Sequence, residues 1–408
     1  MKRVLLIAFY FPPRNHIAGY RTGCFAKYLP EQGWLPTVIC EDWPADRPNY
    51  DPDYVGHIPA EVEIIRLPQP PHKSPFQKFL LRKLLPYLCP PHAPYLWRQA
   101  AAKSIRDLAR KVRFDAIWAT SDPLVTLGLA REAAAEMNLP WMADIRDSFN
   151  VQPRGSWYKR PIWAYHERRL CRQANAIVTV SPYLAAGLSR ATGRPVEVIE
   201  NGFDPELFAA APPAQQGIFT LAYTGYLTLS VQNPSPVLQA MDLLLRRGVV
   251  PPGGIELVCY GPTVEQINAA LPGAMNTLPI RLHPLVPHRQ IAAVQQASSV
   301  LLLLTVTGQK GVLTGKLFDY LGAGRPILAV PDDNGDVASL LRRTGAGLTA
   351  NTPEQIARVL TDWYGQGQKT GQIQLPRNEE AIAYYSRRNQ TKRLAGMLDL
   401  LVSANGSV

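Results

Sequence analysis

The stretch VLLLLTVTGQKGVLTGKLFDYLGAGRPILAV (residues 300–330) contains a whole strand–helix–strand unit. Residues 300–305 form a continuous apolar run, the mark of a strand buried on both faces. Thr314 and Gly315 precede a short helix over 316–323. The segment from Gly322 to Pro326 ends that helix, and 326–330 is a second buried strand. Strands of this kind joined through a helix belong to a parallel sheet.

Working outward, the same alternation appears twice. In the first half, strands are expected at 4–9, 37–40, 63–67, 116–119, 141–144, 176–180 and 196–199. Helical patterns lie between them at 21–31, 101–112, 123–137, 157–173 and 182–191. In the second half, strands are expected at 219–224, 255–260, 280–282, 300–305, 326–330 and 347–349. Helices there fall at 234–247, 290–297, 316–323, 337–342, 353–364 and 378–402. The segment AAAPPAQQ (209–216) reads as the linker. The expectation is an α/β protein of two doubly wound domains, 1–208 and 218–385, joined by 209–217 and followed by a last helix over 386–408. Ligands in such sheets bind beyond the carboxyl ends of the strands, so the loops there are where chemistry is sought.

Composition narrows the function classes. The chain has 408 residues, 46% hydrophobic and 18% charged, which fills two cores and excludes a wholly disordered protein. No apolar run reaches the ~18 residues of a membrane span, and the MKRVLLIAFYFPP start reads as a strand rather than a signal peptide. Five scattered cysteines without CxxC spacing point to a reducing, cytoplasmic setting and to no cysteine metal site. The net charge of +11 sits mostly in the first half, and from Lys73 to Arg113 ten bases face one acid, Asp107. That block suggests an anionic partner, a membrane surface, nucleic acid or a phosphorylated substrate, with nucleic acid the weaker reading since no nucleic-acid motif accompanies it.

Several residues are candidates for chemistry. Gly19 stands at a helix entry, where it either lets amides approach an anion or simply opens the helix. Arg21, placed in the first expected turn, opposes the helix dipole and reads as a ligand contact. His16 is a base or loop filler. Asp144, Arg146 and Asp147 close a buried strand, where they form an internal salt bridge or meet a substrate hydroxyl. Lys316 at a helix start is unfavourable unless an anion binds there. Asp319, one turn on, is either its ion-pair partner or a ligand for a ribose or sugar. Asp51-Pro52-Asp53 reads as a turn, and His283 and His288 share no helix face, so no metal site is expected. Ser74-Pro75 opens an amphipathic helix with Phe76, Phe79, Leu80, Leu84, Tyr87 and Leu88 on one side and Lys78, Arg82 and Lys83 on the other. It either packs on its own domain or lies on an anionic membrane.

The order of the motifs resembles the retaining glycosyltransferases of the GT-B fold, family-4-like. The matching stretches are AGYRTGCFAKYLPEQGWLPTVI, PWMADIRDSF, ERRLCRQANAIVTVSPYLAAGL, VEVIENGFDPELF, LAYTGYL and TGKLFDYLGAGRPILA. The resemblance implies two facing Rossmann-like domains, with a nucleoside diphosphate sugar held by the second and a glycan or lipid-linked hydroxyl acceptor by the first. It implies hexosyl transfer with retention and without a metal or other cofactor; the basic block Lys73–Arg113 adds a lipid-linked acceptor, as in cell-surface glycan assembly, at the cytoplasmic membrane face. By motif, Lys316, Asp147 and Arg21 are the expected catalytic residues. Gly19, His16, Asp144, Arg146, Asn201, Gly202, Gly225, Thr314, Gly315 and Asp319 are the expected substrate contacts, with Asn201 and Gly202 near the hinge.

Two positions depart from the family pattern. The first acid of its E-x7-E motif falls at Gly311, and Gln232 and Asn233 stand where a basic pair is usual. The diphosphate charge then rests on Lys316, helped by Arg21, Lys310 or helix amides. A catalytically degenerate binding or scaffold module and a nucleotide-sugar epimerase are the alternative readings.

Overall fold

The computed structural model describes residues 1–69, 74–84, 94–152, 157–209, 217–306 and 311–405. The chain divides into two compact units, Met1–Glu200 with Arg387–Val408, and Asn201–Ser386.

The first unit is built on seven strands: β1 (Lys2–Ile7), β2 (Trp34–Glu41), β3 (Glu63–Leu67), β4 (Ala116–Ser121), β5 (Trp141–Ile145), β6 (Ala176–Thr179) and β7 (Glu197–Val198). Their order is β3-β2-β1-β4-β5-β6-β7, and every pairing is parallel. Successive side chains point to opposite faces. Leu5, Ile7, Ile117 and Ala119 therefore pack with Trp97 and Ile105 of the helix Tyr95–Ala109. Val4, Leu6, Trp118 and Met142 face the other way, onto Leu394 and Leu398 of the terminal helix Arg387–Asn405. Both leucines are fully buried, and each contributes about 1.5–3 kcal/mol by leaving water.

The second unit has six strands: β8 (Phe219–Thr224), β9 (Ile255–Tyr260), β10 (Ile280–His283), β11 (Val300–Leu304), β12 (Ile327–Val330) and β13 (Gly347–Thr349). Their order, β10-β9-β8-β11-β12-β13, repeats the plan of the first sheet. Leu302 and Leu304 line one core, and Leu301 and Leu303 the other. In each sheet the chain reverses its direction of travel beside the unit's first strand, between β1 and β4 and between β8 and β11. Crevices for ligands form there.

The expected strands are all present, with some ends shifted by a few residues, and the larger differences lie in the helices. The first helix spans Ile17–Tyr28 rather than starting at Arg21, because His16 caps it: its Nδ1 accepts from the Ala18 amide at 3.2 Å. The helix expected over 378–402 is two helices, Glu379–Ala383 and Arg387–Asn405. Between them the Phe203 amide donates to the Tyr385 carbonyl at 3.1 Å, and Phe203 bridges Ser386. Residues 201–208, read from sequence as part of the first domain, pack in the second unit. Phe203 and Phe208 share a core with Leu317 and Leu321. A Cβ on Gly322 would stand 2.7 Å from the Phe208 ring, so the glycine admits that packing.

Three short helices, Pro205–Phe208, Val264–Ala270 and Ala274–Thr277, were not expected. Of the expected linker, 210–216 lie outside the described residues. Ser74 caps the helix Pro75–Phe79, accepting from the Gln77 amide at 3.1 Å, and a wider turn continues it over Leu80–Leu84. Phe76 and Phe79 are exposed, so this helix is not packed down by those rings. The side chains of Arg82 and Lys83, and residues Tyr87 and Leu88, lie outside the described residues.

Candidate functional site

Each unit gathers polar side chains at the carboxyl ends of its central strands. In the first unit the gathering begins with a correction. Arg21 is fully buried and its fork closes on Asp144, with Nε to Oδ2 at 3.0 Å and Nη2 to Oδ1 at 3.1 Å. Its Nη1 donates to the Glu200 carbonyl at 2.8 Å. All three guanidinium nitrogens are thus satisfied, and Arg21 and Asp144 form an internal ion pair. Gly19 is close-packed at the start of the first helix. Its amide donates to the His16 carbonyl at 2.8 Å, and a Cβ there would sit 3.2 Å from the Phe11 backbone.

His16, Arg146 and Asp147 are only partly buried and remain together. His16 stacks on Tyr10 with ring centroids 4.0 Å apart. Burial, then the Arg146 and Arg14 charges, pull its pKa down to about 4, against Asp147 pulling up. His16 is therefore a neutral imidazole at physiological pH. Arg146 anchors the loop after β4, donating from Nε to Thr120 Oγ1 at 2.9 Å and to the Ser121 carbonyl at 2.7 Å. Beside it the Ser121 hydroxyl is buried with no hydrogen-bond partner among the described residues. Arg14 pairs with Glu41 and lies between the rings of Tyr10 and Trp43, 4.6 Å and 3.8 Å from their centroids. Tyr10, Trp43 and Ser121 were not among the sequence candidates; only their places just after strands marked them.

In the second unit the helix Gly315–Ala323 starts at Thr314, whose side chain makes no capping bond. Lys316, in its first turn, reaches back over the loop after β8. Its ammonium donates to the Tyr223 hydroxyl at 2.7 Å and to the Tyr226 carbonyl at 3.0 Å. Gly225 (φ +101°) makes room, since a Cβ there would stand 2.6 Å from Lys316 Cε. Lys316 forms no ion pair among the described residues, and desolvation pulls its pKa down to about 7. Of the two readings of Asp319, the ion pair with Lys316 does not form among the described residues. Asp319 Oδ2 lies 3.0 Å from His288 Nε2 instead.

The two departures from the family pattern also have structural reasons. Gln232 is buried, donating to the Leu304 carbonyl at 2.9 Å and accepting from the Thr228 amide at 3.1 Å. Gly311 has φ +74°, where a side chain would be strained. Lys310 lies outside the described residues. Asn201 and Gly202 open the second unit. Asp51 accepts from the Asp53 amide at 3.1 Å, as a turn requires, and no group of metal-binding side chains forms among the described residues. No helix among them is long and apolar enough to cross a membrane.

Residues 18–202 match the family model for a glycosyl transferase 4-like domain. No curated relative matches by sequence. Among solved structures, sucrose-phosphate synthase from Thermosynechococcus elongatus superposes with a TM-score of 0.67 at 14% identity, over 99% of this chain and 100% of that one. Anabaena HepE in complex with UDP and glucose gives 0.63 at 14%, over 98% and 100%. WaaG, a glycosyltransferase of lipopolysaccharide biosynthesis, gives 0.58 at 12%, over 97% and 99%.

Proposed function

We propose that the chain is a family-4-like glycosyltransferase that moves a hexosyl group from a nucleoside diphosphate sugar to a hydroxyl acceptor, with retention and without a metal; the domain match over residues 18–202 and the shared fold of the solved glycosyltransferases support this reading. The observation that carries this reading is Lys316, a desolvated amine with no ion pair among the described residues, at a helix start whose cap residue makes no side-chain bond. Such a place favours a diphosphate, which the helix amides and the ammonium would hold together. HepE holding UDP and glucose supports the donor class.

In the proposed reaction the acceptor oxygen bonds to the anomeric carbon as the bond from that carbon to the diphosphate oxygen breaks. Negative charge then grows on the leaving diphosphate, and Lys316 with the amides of Thr314 and Gly315 would stabilise it. Asp319, steadied by His288, would accept hydrogen bonds from the nucleotide ribose. On the acceptor side, Asp147, Arg146 and neutral His16 would hold the incoming hydroxyl compound, a glycan or a lipid-linked sugar at the cytoplasmic membrane face. The acceptor proton leaves with the diphosphate or through Asp147.

Thermal shift against a panel of nucleoside diphosphates tests the reading. A ligand at 100 times its Kd stabilises by about 2.7 kcal/mol, and this shift should vanish in Lys316→Ala. If no nucleotide shifts the parent protein, the degenerate binding-module reading replaces this one.

A further inference from the structure

The segment WYKRPIWAYHERRLCRQ (157–173), most of it the helix Arg160–Gln173, has chemistry that glycosyl transfer does not use. It carries five bases, Lys159, Arg160, Arg168, Arg169 and Arg172, against one acid, Glu167. Glu167 is fully buried and occupied inside, accepting from Ser148 Oγ at 2.7 Å, the Phe149 amide at 2.9 Å and Asn150 Nδ2 at 2.8 Å. What the helix turns outward is therefore cationic. Lys159, Arg168 and Arg169 make no ion pair among the described residues. Trp157 is 79% exposed and Tyr165 50%. Helical spacing puts Tyr165, Arg168, Arg169 and Arg172 along one face.

Between this helix and Val125–Met137 lies a cavity of about 100 Å³ lined by Gly128, Arg131, Glu132, His166, Arg169 and Gln173, among others. Its one carboxylate, Glu132, is held by Arg98 Nη2, 2.6 Å from each oxygen. Arg131 Nη2 also lies 3.5 Å from Glu132, while Arg131 Nε is buried with no hydrogen-bond partner among the described residues. The cavity is far smaller than the ~300–1,000 Å³ of ordinary ligand pockets, and its size and charge suit a single phosphate group.

We propose that residues 157–173 are a docking face for an anionic phospholipid bilayer, with Trp157 and Tyr165 entering the interface and the Arg131–Arg169 cavity taking a headgroup phosphate. Exposed aromatics with an apolar body and a polar tip settle at the bilayer–water boundary. Cations beside them are drawn to anionic headgroups. Docking of this kind needs no donor sugar, so it stands or falls apart from the glycosyl-transfer reading.

Flotation of the full chain with vesicles of phosphatidylcholine alone, or mixed with phosphatidylglycerol, tests the proposal. The parent protein should float only with the mixed vesicles and be released by salt. Arg168→Glu with Arg169→Glu should lower the bound fraction about tenfold. Trp157→Ala with Tyr165→Ala should lower it severalfold, and both double variants should keep the parent melting temperature. Parental binding in both double variants would overturn the proposal. So would a loss confined to a Phe76→Ser, Lys78→Glu variant, which would place docking on the other exposed helix. Arg131→Gln should weaken vesicle binding too. If it abolishes calorimetric binding of inorganic phosphate but leaves vesicle binding intact, the cavity is a free-phosphate site and its headgroup role is wrong.

Discussion

Lys316 donates to the hydroxyl of Tyr223 at 2.7 Å, and its ammonium lies 4.2 Å from the centroid of that same ring. The lysine is thus held over an aromatic face by neutral groups, poised for an anion and stabilising nothing in its absence. Lys316→Met should therefore lower transfer about 10²–10³-fold while leaving the melting temperature equal or higher. Steady-state kinetics and calorimetry on the same preparation check both halves.

The pH dependence of that variant has a definite sign. The Lys316 pKa falls to about 7 in the folded protein from the ordinary lysine value of 10.5, because burial disfavours the charged form. Between those values the unfolded chain binds more protons, so this residue's contribution to stability rises with pH. The gap by which Lys316→Met exceeds the parent should be widest below pH 7 and close as pH approaches 10. Melting curves across that range measure it. Diphosphate binding at pH 8 should take up protons, read as a dependence of the binding heat on buffer ionisation.

Arg21 is predicted to matter for folding and not for chemistry. Breaking a buried pair by removing one partner costs about 3–5 kcal/mol, so Arg21→Ala should lose that much in denaturant unfolding. Replacing both partners, Arg21→Met with Asp144→Leu, should recover a good part of it. A variant that unfolds like the parent but has lost transfer activity would return Arg21 to the reaction.

Gly225→Ala places a methyl where Lys316 Cε already lies and forces a side chain onto φ +101°. The expected strain is about 1–3 kcal/mol, with the lysine displaced. Nucleotide binding should weaken at least tenfold in titration calorimetry, with the far-ultraviolet spectrum unchanged.

The fold was legible because buried parallel strands are long apolar runs. Phe219–Thr224, Ile255–Tyr260 and Glu63–Leu67 have in the structure the limits expected from sequence. Helix ends were read less well, since His16 is an unusual cap and the break at Tyr384–Ser386 depends on Phe203, far away in sequence. Lys316 stood out locally as a cation at the wrong end of a helix. Arg21 looked the same by that rule, and what separates them is Asp144, a partner 123 residues away that sequence spacing does not reveal. The His288–Asp319 contact was hidden for a similar reason: the two residues lie on different helices.

The terminal helix Arg387–Asn405 covers one face of the first sheet, laying Leu394 and Leu398 against Val4, Leu6 and Trp118. During synthesis that face has only the partial cover of Phe25, Ala26 and Leu29 until the entire second unit has left the ribosome. At about 5–20 residues per second, the wait is roughly ten to forty seconds. The second unit, continuous in the chain, can finish folding first although it begins later. The nascent first unit would spend that interval with an apolar sheet face partly open to chaperones, and a chain cut short before residue 387 would leave it so for good.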